Sequence, residues 1–384
     1  MTWGEITDEG MAEAEALIGQ PLRRTRMQWI ETATRDAIRH FAWGIGDSNP
    51  LWLDTDYAAA SPFGGITAPP CMLYAVDSTI VAPKLPGVQW VYAGTDWTWY
   101  EPIRAGDTFT VEAVLTRQQE KSGRRFKRWV LQSGEVRYLN QHGRLVATAE
   151  GHCARTPRRT HNAEETKPKN DAPIAEPQRY TQEELADIEI QVLNEPRRGA
   201  DPLYWDDVSV GDTIPPVVKG PLSVIDILAW YSATQGALHY GGAHGDAIRY
   251  RRRHDDYHIN PKTGAKDAAG RGHLEAQTGR DVGMDGAYDV GPQRISWAQH
   301  MLNNWAGDHG FLHKLNVSVR RPNLVGDTIW WRGTVTGKRE VSGAKLIDIA
   351  VEAKCQRDIH SAGGTAVVAL PSRADGPVTL PLMP

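Results

Sequence analysis

The sequence predicts an α+β fold: two curved antiparallel sheets, each wrapped round a central helix, with a common edge that could pair them into a larger sheet. Three observations predict it. The chain repeats itself, each copy carries one proline-led apolar helix, and the segments that follow alternate as strands do. Residues 100–151 and 320–370 both hold Gly-Asp-Thr (106–108 and 326–328), then a strand-like run, then a Ser-Gly turn (122–123 and 342–343). "WVLQSGEVRYLN" and "LIDIAVEAKCQR" carry the period-two alternation of half-buried strands. Upstream lie "APPCMLYAVDSTIV" (68–81) and "GPQRISWAQHMLNNWAG" (291–307). Each is entered through proline, which suits a first helical turn because no N–H is needed there. A sheet with one apolar face must cover it, and one helix per copy is available. The pattern therefore predicts long helices over 68–81 and 291–307.

The length of 384 residues suits two domains. The copies place one over 1–154 and the other over 201–384, joined by a linker at 155–200. Residues 155–180 are rich in charge and proline and show no periodicity. A short helix follows over 181–195, where Thr181 caps and Glu184 completes a capping box. The second domain carries an insertion, 241–290, with no counterpart in the first.

Bulk composition narrows the function. With 43 basic and 47 acidic residues the net charge is −4, which gives no footprint for nucleic acid. Cys71, Cys153 and Cys355 are widely spaced and form no disulfide framework, which suits a reducing compartment. The N-terminus lacks the basic and apolar regions of a secretory signal. No apolar run reaches about 18 residues. The expectation is a cytoplasmic protein without a membrane partner.

The chemistry centres on "FAWGIGDSNPLW" (41–52), an apolar helix end that turns on two glycines and presents Asp47 and Asn49. A carboxylate in an apolar turn is a candidate general base, and Asn49 can brace the loop through its own backbone. Gly46, Asp47, Asn49, Pro50, Leu51, Asp54, Ala58, Phe63 and Gly64 then stand in the order of a hydratase motif: Gly-Asp-x-Asn-Pro-aliphatic-His, an acidic residue, an alanine and Phe-Gly. In these residues the sequence resembles the MaoC-like dehydratase family, above all its two-domain members with a FAS1-like dehydratase N-terminal half. The likeness runs over about 20–155 and 203–370.

That resemblance implies a double hotdog fold and a hydro-lyase. Such an enzyme hydrates trans-2-enoyl thioesters to (R)-3-hydroxyacyl thioesters, or runs the reverse. It implies that the motif Asp and His hold the reacting water. The thioester carbonyl would rest on backbone N–H groups at the start of a central helix, here that of Cys71, whose thiol is a packing group. Asn49, Trp52 and Gly64 would complete the substrate site in the first half. Arg249 and Arg252, in the insertion, are candidates for the phosphates of coenzyme A, against the alternative of a solvated charge run. Coenzyme A, or an acyl carrier protein, enters only as part of the substrate; no other cofactor is expected. The insertion's histidines lack the paired spacing of a metal site, so no metal is expected either. A homo-oligomer such as a dimer is the expected assembly.

One departure matters. Where the family has histidine, five residues after the aspartate, this chain has Trp52, which donates one N–H and cannot shuttle protons. In the second copy, "WYSATQGALHYGG" (230–242) places His239 at the histidine position and Thr234 at the aspartate position. Three arrangements are open: a composite site of Asp47 and His239, a second-half site of His239 with Asp246, or two degenerate sites. The alternatives to a hydro-lyase are a thioesterase with Asp47 as base, and a non-catalytic acyl-thioester-binding subunit that completes a partner's site.

Overall fold

The computed structural model describes residues 4–24, 28–123, 126–157, 179–234, 245, 248–249, 252, 258–260, 263–267, 269–281 and 283–382. The strands are β1 (Gln89–Trp99), β2 (Phe109–Lys121), β3 (Trp129–Asn140), β4 (Leu145–Thr156), β5 (Thr213–Lys219), β6 (His258–Ile259), β7 (Lys266–Asp267), β8 (Phe311–Val319), β9 (Ile329–Val341), β10 (Ala344–Cys355) and β11 (His360–Ala369). Nine of them form one sheet in the order β2-β3-β4-β1-β8-β11-β10-β9-β5. β1 and β8 pair antiparallel at its middle, from Gly94↔Ser318 to Thr98↔Lys314, with Asp96↔Asn316 at the centre.

The repeat is visible atom by atom. Gly106 and Gly326 both have φ 96°, a left-handed conformation that glycine adopts without a steric cost. Asp107 Oδ2 accepts from Arg104 N at 2.7 Å, and Asp327 Oδ2 from Leu324 N at 2.8 Å. Gln141 donates to Asp107 at 3.1 Å and accepts from Thr108 N at 3.0 Å. Gln356 makes the same pair of bonds to Asp327 and Thr328 N, at 2.8 and 2.9 Å. The Gly-Asp-Thr landmark is thus a clasp that starts β2 and β9. Ser342 (φ 51°) and Gly343 (φ 83°) form the two-residue turn of the β9–β10 hairpin.

The two sheets pair along a common edge into one open sheet, and the fold departs from the expectation that each sheet wraps round its own long helix. β1 and β8 would each be an edge in its own half, and an unpaired edge is a template for pairing. The first central helix is short. A 3-10 turn (Pro70–Met72) runs into a single α-turn (Leu73–Val76) and stops. Asp77 ends it: its carboxylate accepts from Thr79 N at 2.8 Å and from the Arg24 guanidinium at 2.6 and 2.7 Å. An Asp that bonds its own backbone two residues on competes with the helix, and the β-branched residues beyond it give the helix little support.

The second central helix (Gly291–Ala306) matches its expectation and is buried on every side except at Gly291 and Asn303. Its first turn is fastened by Arg294. That side chain is bidentate to Asp289 and donates to the carbonyls of Arg321 and Ser361 at 2.7 and 2.8 Å. The capped helix at Gln182–Leu193 is present with its capping box. Helices Arg35–Gly44 and Val224–Thr234 cross closely at Gly44, where an added Cβ would lie 2.7 Å from Ala233 Cβ and 3.0 Å from Ala229 O. Phe41 sits edge-on to Trp230 at 5.8 Å in the same crossing. One hydrophobic core spans both halves. Among the described residues no helix is long and apolar enough to cross a membrane.

Candidate functional site

The helix Arg35–Gly44 delivers the motif loop. Gly46 turns with φ 66°, and Asp47 N bonds Ala42 O at 2.8 Å. Asn49 Oδ1 accepts from Leu51 N at 3.0 Å, capping a short helix (Pro50–Leu53) that has Pro50 in its first position. This brings Trp52 back over the aspartate. Asp47 Oδ1 accepts from Asn49 N, and Oδ2 from the Trp52 indole N–H, both at 2.9 Å. Trp52 therefore supplies a donor to the carboxylate from the motif's histidine position.

A histidine still faces Asp47, from the other half. His300, in the central helix, has Nε2 3.5 Å from Asp47 Oδ1 and 2.8 Å from Glu195 Oε1. Glu195, in the segment between the halves, also accepts from Asn304 Nδ2 at 2.7 Å. Lys219, at the end of β5, donates to Gly46 O at 2.9 Å. The Arg197 guanidinium donates to Ser48 O and Oγ at 3.2 and 3.0 Å and to Asn304 Oδ1 at 3.3 Å. The motif loop, the inter-half segment, β5 and the central helix thus converge on one polar cluster. The side chains of Asp47 and His300 are fully buried, and Glu195 is 15% exposed, so the cluster reaches solvent on the Glu195 side.

Its electrostatics follow from that burial. Burial pushes the Glu195 carboxyl up, but His300, Lys219 and Asn304 together outweigh it and hold it down at about 2. Burial lowers the Lys219 ammonium below its usual range, against the pull of Glu195, Asp47 and Asp226.

A narrow pocket adjoins the loop, walled by Asn49, Trp52, Phe63, Trp99, Asp308 and Phe311 among others. Its cavity volume is about 30 Å³, room for one or two waters. Tyr57 donates to Asp308 at 2.5 Å, and burial raises the Asp308 carboxyl.

Asn49 and Trp52 therefore bond the Asp47 carboxylate, and both wall the pocket. Gly64 does not line it; it forms an exposed turn (φ 69°) beside Phe63. Cys71 lies behind Pro70, buried, with its thiol bonded to Ser296 and pushed up by burial. That leaves it a packing group rather than a nucleophile. Arg249 and Arg252 are exposed and do not line the pocket. His239 and Asp246 lie outside the described residues. Thr234, the repeat counterpart of Asp47, is buried and gives its hydroxyl to Trp230 O at 2.8 Å.

Sequence reasoning missed His300, Glu195 and Lys219. One signal was available: Gln299, His300, Asn303 and Asn304 stand together in a helix that had to be buried. Buried polar groups need partners, so such a cluster marks a polar contact inside the core.

Residues 16–149 match the family model of the FAS1-like dehydratase domain region. A UPF0336 protein of Streptomyces avermitilis is 30% identical over 89 residues, which is 21% of this chain and 59% of that protein. Among solved structures, a MaoC-like dehydratase superposes with a TM-score of 0.62 at 16% identity, covering 94% of this chain and 99% of its own. A conserved hypothetical protein of Mycobacterium tuberculosis with a double hotdog fold gives 0.51 at 14% identity, covering 92% and 96%. The resemblance read from the motif is thereby borne out, and the fold is that of the double hotdog proteins.

Proposed function

We propose that the protein is a hydro-lyase that adds water to a 2-enoyl thioester, or removes it from the 3-hydroxyacyl thioester, with (R) stereochemistry and coenzyme A as the carrier. The observation that carries this reading is Asp47: a buried carboxylate in a Gly-Asp-x-Asn-Pro loop, 3.5 Å from an imidazole. Hydration needs a group to take a proton from water, a group to return one to Cα, and donors for the developing enolate oxygen. Asp47 and His300 are the proton-handling pair in this reading. Trp52 and Asn49 fix the Asp47 carboxylate, and Glu195 stands at ion-pair distance from the imidazole. The Cys71 N–H, at the start of the Pro70–Met72 turn, is the proposed donor to the thioester oxygen. The pocket beside Trp52 is the proposed route for substrate, and binding must widen it.

Complete burial of Asp47 and His300 supports a second reading, in which the cluster locks the halves together and the chain only binds the acyl thioester. Mass spectrometry of purified protein with a panel of enoyl-CoAs separates the readings. Hydration predicts a 3-hydroxyacyl-CoA, reduced roughly 10²-fold or more in Asp47→Asn and in His300→Gln. Free coenzyme A would indicate a thioesterase. No product from any enoyl-CoA, with binding retained, would leave the binding reading.

A further inference from the structure

We propose that Asp96, Glu150 and His152 bind a divalent transition-metal ion, zinc by preference, on the face of the sheet opposite the core. The three side chains come from the paired strands β1 and β4. Asp96 is directly opposite Glu150, and His152 lies two residues along on the same face. One ligand atom from each lies within 4.8 Å of the other two. Two ligands at i and i+2 on one strand and a third on its neighbour place three donors on one side of a sheet and leave further positions for water. His152 Nε2 is 3.2 Å from Asp96 Oδ2. Two ligands on a tetrahedral zinc at its usual bond lengths stand about 3.3 Å apart, so this edge is already formed.

The surroundings argue for a cation as well. Glu135, Glu150 and Asp96 stand abreast on three neighbouring strands. Like charges directly opposite one another destabilise a sheet. Among the described residues, no lysine or arginine reaches ion-pair distance of any of the three; Lys314 and Arg137 stand one row away, opposite Thr98 and Thr148. The outer positions are braced. The buried Ser133 hydroxyl holds His152 Nδ1 at 2.9 Å, and the Thr116 hydroxyl donates to Glu150 at 2.6 Å. Such partners fix the ring so that Nε2 faces the carboxylates, as metal-bound histidines require. One imidazole with two carboxylates suits zinc, and next manganese. The repeat counterparts of the three residues are Asn316, Thr365 and Val367, so the ligand set is not repeated at the matching place in the second half.

The test is metal binding by the full chain after chelator treatment, read by calorimetry with zinc chloride and by the visible spectrum with cobalt. The expected result is one ion per chain at micromolar affinity or better, with the cobalt bands of a four-coordinate histidine-carboxylate site. His152→Gln and Asp96→Asn should lose the binding. Ser133→Ala should weaken it about 10–100-fold, the usual cost of losing an outer-sphere partner. Glu112→Gln, a surface control on β2, should bind as the parent does. Circular dichroism checks that each variant is folded, and the cobalt spectrum of the parent needs no variant. No saturable uptake by the parent, or equal uptake by the parent and a folded His152→Gln, would overturn the proposal and leave His152 and Asp96 as an ordinary hydrogen-bonded pair.

Discussion

Glu195 makes the candidate site's most quantitative prediction. Its carboxyl falls from 4.5 in the unfolded chain to about 2 in the folded one. The folded pKa is the lower, so between the two values the unfolded chain binds more protons. The stabilisation is fully present above about 4.5 and drains away as pH falls through the folded value. A shift of this size corresponds to about 3 kcal/mol at neutral pH, of which about 2 kcal/mol should be gone by pH 3. The side chain is only 15% exposed, so solvent screens little of this. Urea unfolding of the parent and of Glu195→Gln across pH 7 to 3 measures it. The glutamine variant should be less stable at pH 7, and the gap should narrow by about 2 kcal/mol at pH 3. Parallel curves, with a constant gap, would refute the claim that His300 and Lys219 hold this carboxylate.

Three further predictions concern the fold. Gly44→Ala forces a methyl group into the helix crossing, against Ala233 and the Ala229 carbonyl, and should cost about 1–3 kcal/mol by denaturant titration. Arg294→Met leaves Asp289 buried with, among the described residues, only Asn323 bonding its carboxylate, and a loss of about 3–5 kcal/mol or failure to fold is expected. Burial holds the thiols of Cys71 and Cys153 well above their usual pKa, so both should resist a thiol reagent in native buffer and react once urea unfolds the chain.

The sequence carried the repeat because its landmarks do geometric work. Gly-Asp-Thr recurs because a left-handed glycine, a capping aspartate and a following strand are needed in both halves. The long second helix was legible from its proline and its length. The first stops short of its expected length because apolar character past Val76 belongs to an extended segment that starts at the Asp77 turn. Asp47, Asn49 and Trp52 were legible because one local loop holds all three. The partner of Asp47 in the other half was not, since His300, and the Glu195 that meets His300, come from more than a hundred residues away. Local spacing carries no trace of such contacts. The Asp96, Glu150 and His152 cluster escaped for the same reason: strand pairing, not a motif, brings it together.

The pairing of β1 with β8 has one more consequence. The offset that relates Gly106 to Gly326 also relates Asp96 to Asn316, and these two residues face each other at the centre of the seam. They therefore lie where an axis relating the halves would pass. In a dimer of identical chains, any residue on such an axis meets its own copy, and an aspartate there would oppose an aspartate. A single chain that carries both halves escapes that rule. It can set an amide against an acid at the axis, shorten one central helix while lengthening the other, and give His300 to one half and Asp47 to the other. Joining the halves lets each side of the seam be altered without altering its mirror position.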